Sequence, residues 1–232
     1  MTRAQIVTLA RDYLQEAGTV PLSSALANDL VNEAQGELAE VAEYSFASFT
    51  VTGGLVENQH DYALPNTLVR ARAVAVQDAD GNLRTLREEQ TERGMDAAYP
   101  SWRTDAAGLP DRWWPAPNAV WLHPKPSATY AATPLQIRGS RTPPDMTGDS
   151  DVPVDLPARY HRTLAKYVAW RWLEIDKESP AAQKWAGVWK SEFDRDVARL
   201  RALVRSRFDT DGPSIRLDPG RPVPDGWLDD EV

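Results

Sequence analysis

The sequence predicts an α+β protein: a mainly α-helical bundle of four helices, two N-terminal and two C-terminal, with an inserted small β-sheet or β-sandwich segment and an extended C-terminal tail. Three observations predict it. Apolar residues recur at spacings of three and four near both ends of the chain, the period of a helix with one buried face. Between them, short runs bearing Val, Trp, Tyr and Phe are broken by Gly, Pro and Asp-Gly, which is strand and turn chemistry. Past residue 209, prolines at 213, 219, 222 and 224 exclude a regular helix. The expected divisions are an N-terminal helical pair (1–45), an inserted β domain (46–150), a C-terminal helical pair completing the bundle (151–208) and the tail (209–232).

The first helix is predicted over residues 4–17, with Ile6, Leu9, Ala10, Tyr13, Leu14 and Ala17 on one face and Gly18 as its stop. Ser23 or Ser24 caps a second helix, whose stripe is Leu26, Leu30, Ala34, Leu38 and Val41. Strands begin at Phe46, Phe49 and Val51 and stop at Gly53-Gly54; a short edge strand holds Tyr62 and Leu64, and a longer one runs over 68–77. Asp80-Gly81 turns the chain into Leu83 and Leu86 as a hairpin. A short helix around 88–93 and then a loop past Pro100 are expected, followed by a hairpin marked by Trp113, Val120, Trp121 and Leu122 and a strand over 135–140. After Pro157 a helix carries Leu164, Tyr167, Val168, Trp170, Leu173 and Ile175, an apolar surface wide enough to be buried on two sides. Ser179-Pro180 caps and starts the last helix, which reaches about Phe208 on a stripe of Trp185, Trp189, Phe193, Val197, Leu200 and Val204.

Composition narrows the function. The 232 residues are 42% apolar and 26% charged, ordinary globular values that permit a sizeable core. With no cysteine, disulfide frameworks and thiolate chemistry are excluded. No apolar leader or long apolar run stands out, so a soluble, unsecreted chain without membrane contact is expected. A net charge of −8 disfavours dedicated nucleic-acid binding, which draws on Lys and Arg, yet suits a wall past which DNA slides.

Chemical motifs are sparse. His60, His123 and His161 are scattered without metal-ligand spacing, and no Gly-x-Ser-x-Gly elbow or phosphate loop occurs. No catalytic residue, cofactor or metal is therefore expected. Asp145, Asp149, Asp151 and Asp155 share a loop, as Asp209 and Asp211 do near Gly212, but calcium-loop order is missing and turn chemistry is the better reading. Trp102, Trp113, Trp114 and Trp121 would suit a sugar-stacking platform; tryptophans on the helices favour packing and interface roles instead. A carbohydrate- or cell-wall-binding module using Trp113, Trp114 and Trp121 is thus the alternative function, with a small Asp/His hydrolase behind it. Arg195, Arg199, Arg201, Arg205 and Arg207 make the end of the last helix basic, where cations are favourable in any case. Ile215, Leu217, Trp227 and Leu228 give the tail apolar anchors that a plain linker lacks.

The order of these parts resembles the head-to-tail adaptor (connector, head completion) proteins of tailed bacteriophages. The echoes are Leu30-Val-Asn-Glu-Ala-Gln-Gly-Glu-Leu38 in the second helix, Tyr62-Ala-Leu-Pro65 before the long strand, Gly108-Leu-Pro110 to Pro124-Lys-Pro126 around the Trp hairpin, and Asp151-Val-Pro-Val-Asp-Leu-Pro157 with Tyr160-His161 leading into the third helix. The resemblance implies a structural virion protein assembled in the host cytoplasm. Its copies, commonly twelve, would form a ring beneath the portal, offer a platform to a tail, stopper or tail-terminator protein, and pass genomic DNA through the centre. Trp185, Trp189 and Phe193 would face the bundle or the next subunit, Arg199 and Arg205 the portal, and Ile215, Leu217, Trp227 and Leu228 a neighbour or the portal.

Overall fold

The computed structural model describes residues 1–15, 22–89, 91–176 and 180–209. Helix α1 (Arg3–Gln15) buries Ile6, Val7, Ala10 and Leu14. Its start is pinned from afar: the Arg3 guanidinium donates to the Met146 carbonyl and to Asp149 Oδ1, both at 2.8 Å. Helix α2 (Ser24–Ala42) begins at Ser23, whose hydroxyl accepts from the Leu26 N–H at 3.3 Å and so satisfies one of the orphan donors of the first turn. It buries Leu30, Ala34 and Leu38 of the anticipated stripe and a second row, Ala27, Val31, Gln35, Ala39 and Ala42. The second row follows from its central place, touching α1 and both C-terminal helices.

Those helices are α4 (His161–Asp176) and α5 (Pro180–Asp209). One core joins α1, α2, α4 and α5, with Tyr44, Met146, Leu156 and Tyr160 closing its end. Between α4 and α5 lies a polar seam. Lys166 Nζ reaches Asp196 Oδ2 at 2.6 Å and Glu192 Oε2 at 3.1 Å, with Thr163 Oγ1 also on Asp196. Burial alone would lower the Lys166 pKa, but the two carboxylates outweigh it and hold the amine charged.

Between the helical pairs run β1 (Phe46–Thr50), β2 (Asp61–Ala63), β3 (Leu68–Gln77), β4 (Leu83–Thr85), β5 (Arg87–Glu88), α3 (Glu92–Ala98), β6 (Arg112–Ala116), β7 (Ala119–His123) and β8 (Leu135–Arg141). They form two four-stranded sheets, ordered β1-β8-β3-β4 and β2-β7-β6-β5. The alternating inward residues Val74, Val76, Leu135 and Ile137 of the first meet Tyr62, Trp113, Val120 and Leu122 of the second in a separate core. The β3–β4 hairpin forms as expected: Asp78 Oδ1 accepts from the N–H groups of Asp80 and Asn82, and Gly81 takes φ +83°.

The expected four-helix bundle with one small inserted sheet is corrected by these elements. The described residues hold five α-helices and two full sheets. The fifth helix starts at Glu92 rather than near 88, because Thr91 is its cap and accepts from the Gly94 N–H at 3.0 Å. The second sheet is completed by β5, two exposed residues paired in parallel with Arg112 and Trp113. Neither element has an apolar period to betray it. The first sheet also depends on a long return: β8 enters between β1 and β3, pairing Phe46 with Ser140 and Val74 with Ile137.

Candidate assembly surface

Helix α5 carries most of the residues singled out for assembly. Trp185 and Trp189 are half-buried, stacked at 6.2 Å, and Trp189 stacks in turn on Tyr13 of α1 at 4.1 Å. Trp189 thereby links α5 to α1 through one ring contact, and both tryptophans stay partly open to solvent. Phe193 lies deeper, buried edge-on against Tyr167 at 5.1 Å. Arg199 and Arg205 are exposed on the same helix. Ile215, Leu217, Trp227 and Leu228 lie outside the described residues, as do the Gly18 stop and the Ser179 cap.

The basic stripe divides once its partners are known. Arg195 pairs with Glu192, and Arg199 stands 3.9 Å from Asp196. Arg201 and Arg205 make no ion pair among the described residues. Both border a groove of about 570 Å3 between α2 and α5, lined by the apolar Val41, Phe193, Val197, Ala198 and Ala202 and by the acidic Glu37 and Asp194. Around Val41 it continues into a basic hollow of about 400 Å3, where Arg70 and Arg72 of β3 join Arg201 and Arg205 against Glu43 and Glu88. Among the described residues, Glu43 alone serves both strand arginines. No single stretch of sequence announces this groove, because its walls come from α2, β3 and α5.

The remaining candidates resolve into fold chemistry. Trp113 and Trp114 are each 1% exposed, and as adjacent strand residues they point to opposite faces. Trp113 enters the core between the sheets; Trp114 packs with Met95 and Trp102 beneath α3, and Trp121 covers that cluster half-buried. An indole face inside the protein offers nothing to a pyranose ring, which removes the sugar platform. Asp149 takes Arg3, Asp155 takes the Ser45 hydroxyl at 2.8 Å, and Asp151 Oδ2 accepts from the N–H groups of Thr147 and Gly148, bonds that hold its pKa below the ordinary value. Among the described residues no three His, Cys, Asp or Glu gather as a metal site, and no helix is long and apolar enough to cross a membrane.

His161 and His123 have a consequence for stability. His161 Nε2 bonds the Leu156 carbonyl at 2.9 Å and its Nδ1 meets the Met1 amine at 2.6 Å; burial is the largest influence and lowers its pKa. Burial likewise lowers His123, against the opposing pull of Asp105. With folded values below the unfolded value of about 6.5, stability is full above that pH and is lost as pH falls through the folded values. Urea midpoints at pH 7.5, 6.5 and 5.5 should therefore decline, and His161→Gln should flatten part of the slope. A midpoint unchanged from pH 7.5 to 5.5 would refute this.

Many charged groups are committed to the protein's own turns and helix seams, while Arg201 and Arg205 of α5 stand without an ion pair among the described residues beside an apolar groove. The SU10 adaptor protein family model matches residues 1–219, and the chain belongs to that family, a family of bacteriophage head-to-tail adaptors. It is a structural component of the virion at the head–tail junction, in a family that works between portal and tail proteins. No curated protein matches the sequence.

Proposed function

We propose that copies of this chain, twelve in number, form a ring beneath the portal, connect the DNA-filled head to a tail, stopper or tail-terminator protein, and line the channel through which genomic DNA passes. The observation that carries this reading is the family match over residues 1–219. The net charge of −8 supports it, since an acidic wall repels phosphate and keeps passing DNA from sticking. In the ring, the two helical pairs (1–45 and 151–208) act as one body and the β part (46–150) as another, with the tail (209–232) reaching outward. Trp185 and Trp189 face the next subunit, while Phe193 supports them from the bundle side. Arg199 and Arg205 meet the portal, and Ile215, Leu217, Trp227 and Leu228 lie along a neighbour or the portal. Assembly takes place in the host cytoplasm, without cofactor, catalytic step or membrane contact.

Quantitative mass spectrometry of density-purified particles, scaled to the major capsid protein, tests it. A count equal to that of the portal subunit is the expected result, and absence from intact particles would sink the adaptor ring. Deleting residues 210–232 should abolish incorporation while leaving the chain folded.

A further inference from the structure

We propose that in the free chain the segment 225–231, Asp-Gly-Trp-Leu-Asp-Asp-Glu, docks into the α2–α5 groove of its own chain, with Trp227 and Leu228 on the apolar length and Asp229, Asp230 and Glu231 toward the four arginines. The groove changes character along its course. Phe193, Val197 and Ala198 line one part, and one to two helical turns on, Arg201 and Arg205 meet Arg70 and Arg72. The segment changes character in the same order, two large apolar residues followed at once by three carboxylates. Laid parallel to α5, it sets apolar against apolar and acid against base.

Charge supports this occupant. Four arginines line the basic hollow against Glu43 and Glu88, an excess of two positive charges in a chain of net charge −8. Arg201 and Arg205 have no carboxylate of their own among the described residues, and Arg70 and Arg72 divide one. Guanidinium groups with donors to spare favour planar carboxylates in particular. Val41, 39% exposed at the junction of the two hollows, is the kind of apolar surface that a Trp-Leu pair would cover.

The tether allows it. From Phe193 to Asp209 the helix rises about 24 Å, whereas the 18 residues from Asp209 to Trp227 can span up to about 60 Å. Gly212 and Gly220 supply the backbone freedom for a reversal between the prolines. A segment on such a tether has an effective concentration of about a millimolar at its own groove. At micromolar protein, its own chain therefore outcompetes a second copy. Docking of this kind keeps the groove covered before assembly and frees it when another surface takes the tail; it is a property of the free chain and does not depend on the ring.

The absence of cysteine from the sequence makes the test direct. Gly226→Cys is paired with Ala198→Cys in the groove or with Arg199→Cys, exposed beside it at equal tether length, and the full chains are treated with a short bismaleimide at micromolar concentration. The 198–226 pair should join within one chain at least ten times faster than the 199–226 pair. Arg201→Glu with Arg205→Glu, or 1 M salt, should bring it down toward the control, since screening shortens the reach of these charges to about 3 Å. Equal rates for the two pairs overturn the docking. Products formed only between chains, in mixtures of single-cysteine chains, overturn it in favour of a second copy. The comparison of 198 with 199 needs no charge reversal, so a poorly folding arginine variant leaves it intact.

Discussion

An alanine at Gly139 is expected to lower stability by about 3 kcal/mol, near the upper end of what overpacking a core costs. Gly139 sits in β8, an interior strand of the first sheet, opposite Ala47 of β1 and Ala71 of β3. The register on the β3 side slips between Ala71 and Ala73, so an extra residue bulges there and draws the two backbones together. A methyl group on Gly139 would stand 2.1 Å from the Arg70 carbonyl oxygen and 3.0 Å from the Ala71 Cα. Both are backbone atoms of a paired strand, so no side chain can swing aside. Relief requires β3 and β8 to separate, which breaks ladder bonds and opens the packing around Val74 and Ile137. The contrast is Gly187 in α5, where an added Cβ meets nothing within 4 Å. Gly187→Ala should raise stability by about 0.5–1 kcal/mol, because alanine loses less backbone entropy on entering a helix. Urea denaturation of the two variants beside the parent measures the difference. A Gly139→Ala midpoint equal to the parent's would show that the bulge yields freely and that the close approach carries no constraint.

What was legible in the sequence follows the physics of each element. Helices α1, α2, α4 and α5 each run 13 residues or more, long enough for an apolar period to declare itself, and Ser23 marked its helix by a local hydrogen bond. The β3–β4 hairpin was legible for the same reason, since Asp78 and Gly81 make the turn from within five residues. Elements set by partners far along the chain were not. The two residues of β5 are exposed and owe their conformation to Arg112 and Trp113, and the seven of α3 are too few for a period. Gln35 is polar by composition yet buried, because α2 packs on three helices at once. The arginine stripe of α5 was visible as a run of charge. Which members were spent on Glu192 and Asp196, and which were left over beside Arg70 and Arg72, depends on carboxylates and strands brought together only by the fold.

Trp114→Ala is expected to cost about 3–5 kcal/mol, which for a chain of this size lowers the melting temperature on the order of 10 °C. Trp114 is the floor beneath α3: its ring lies edge-on to Trp102 at 4.9 Å and to Trp121 at 5.7 Å, with Met95 fully buried beside it. The helix above has seven residues and cannot stand by its own propensity. Truncating the indole removes a buried apolar contact of the helix and leaves a cavity that the surrounding strands, fixed by the β6–β7 pairing, cannot collapse to fill. Local opening should precede global unfolding, so trypsin should cut faster after Arg93 and Arg103 even where the remainder stays folded. Trp121→Ala, at a half-buried position on the rim of the same cluster, should cost less. A sugar-binding surface makes the opposite prediction, a Trp114→Ala protein as stable as the parent that loses only a ligand. Calorimetry of the two variants separates these outcomes: an unshifted Trp114→Ala melt would reopen the platform reading, whereas a deep loss there and a shallow one at Trp121 would fix the tryptophan cluster as the small core that holds α3 on the second sheet.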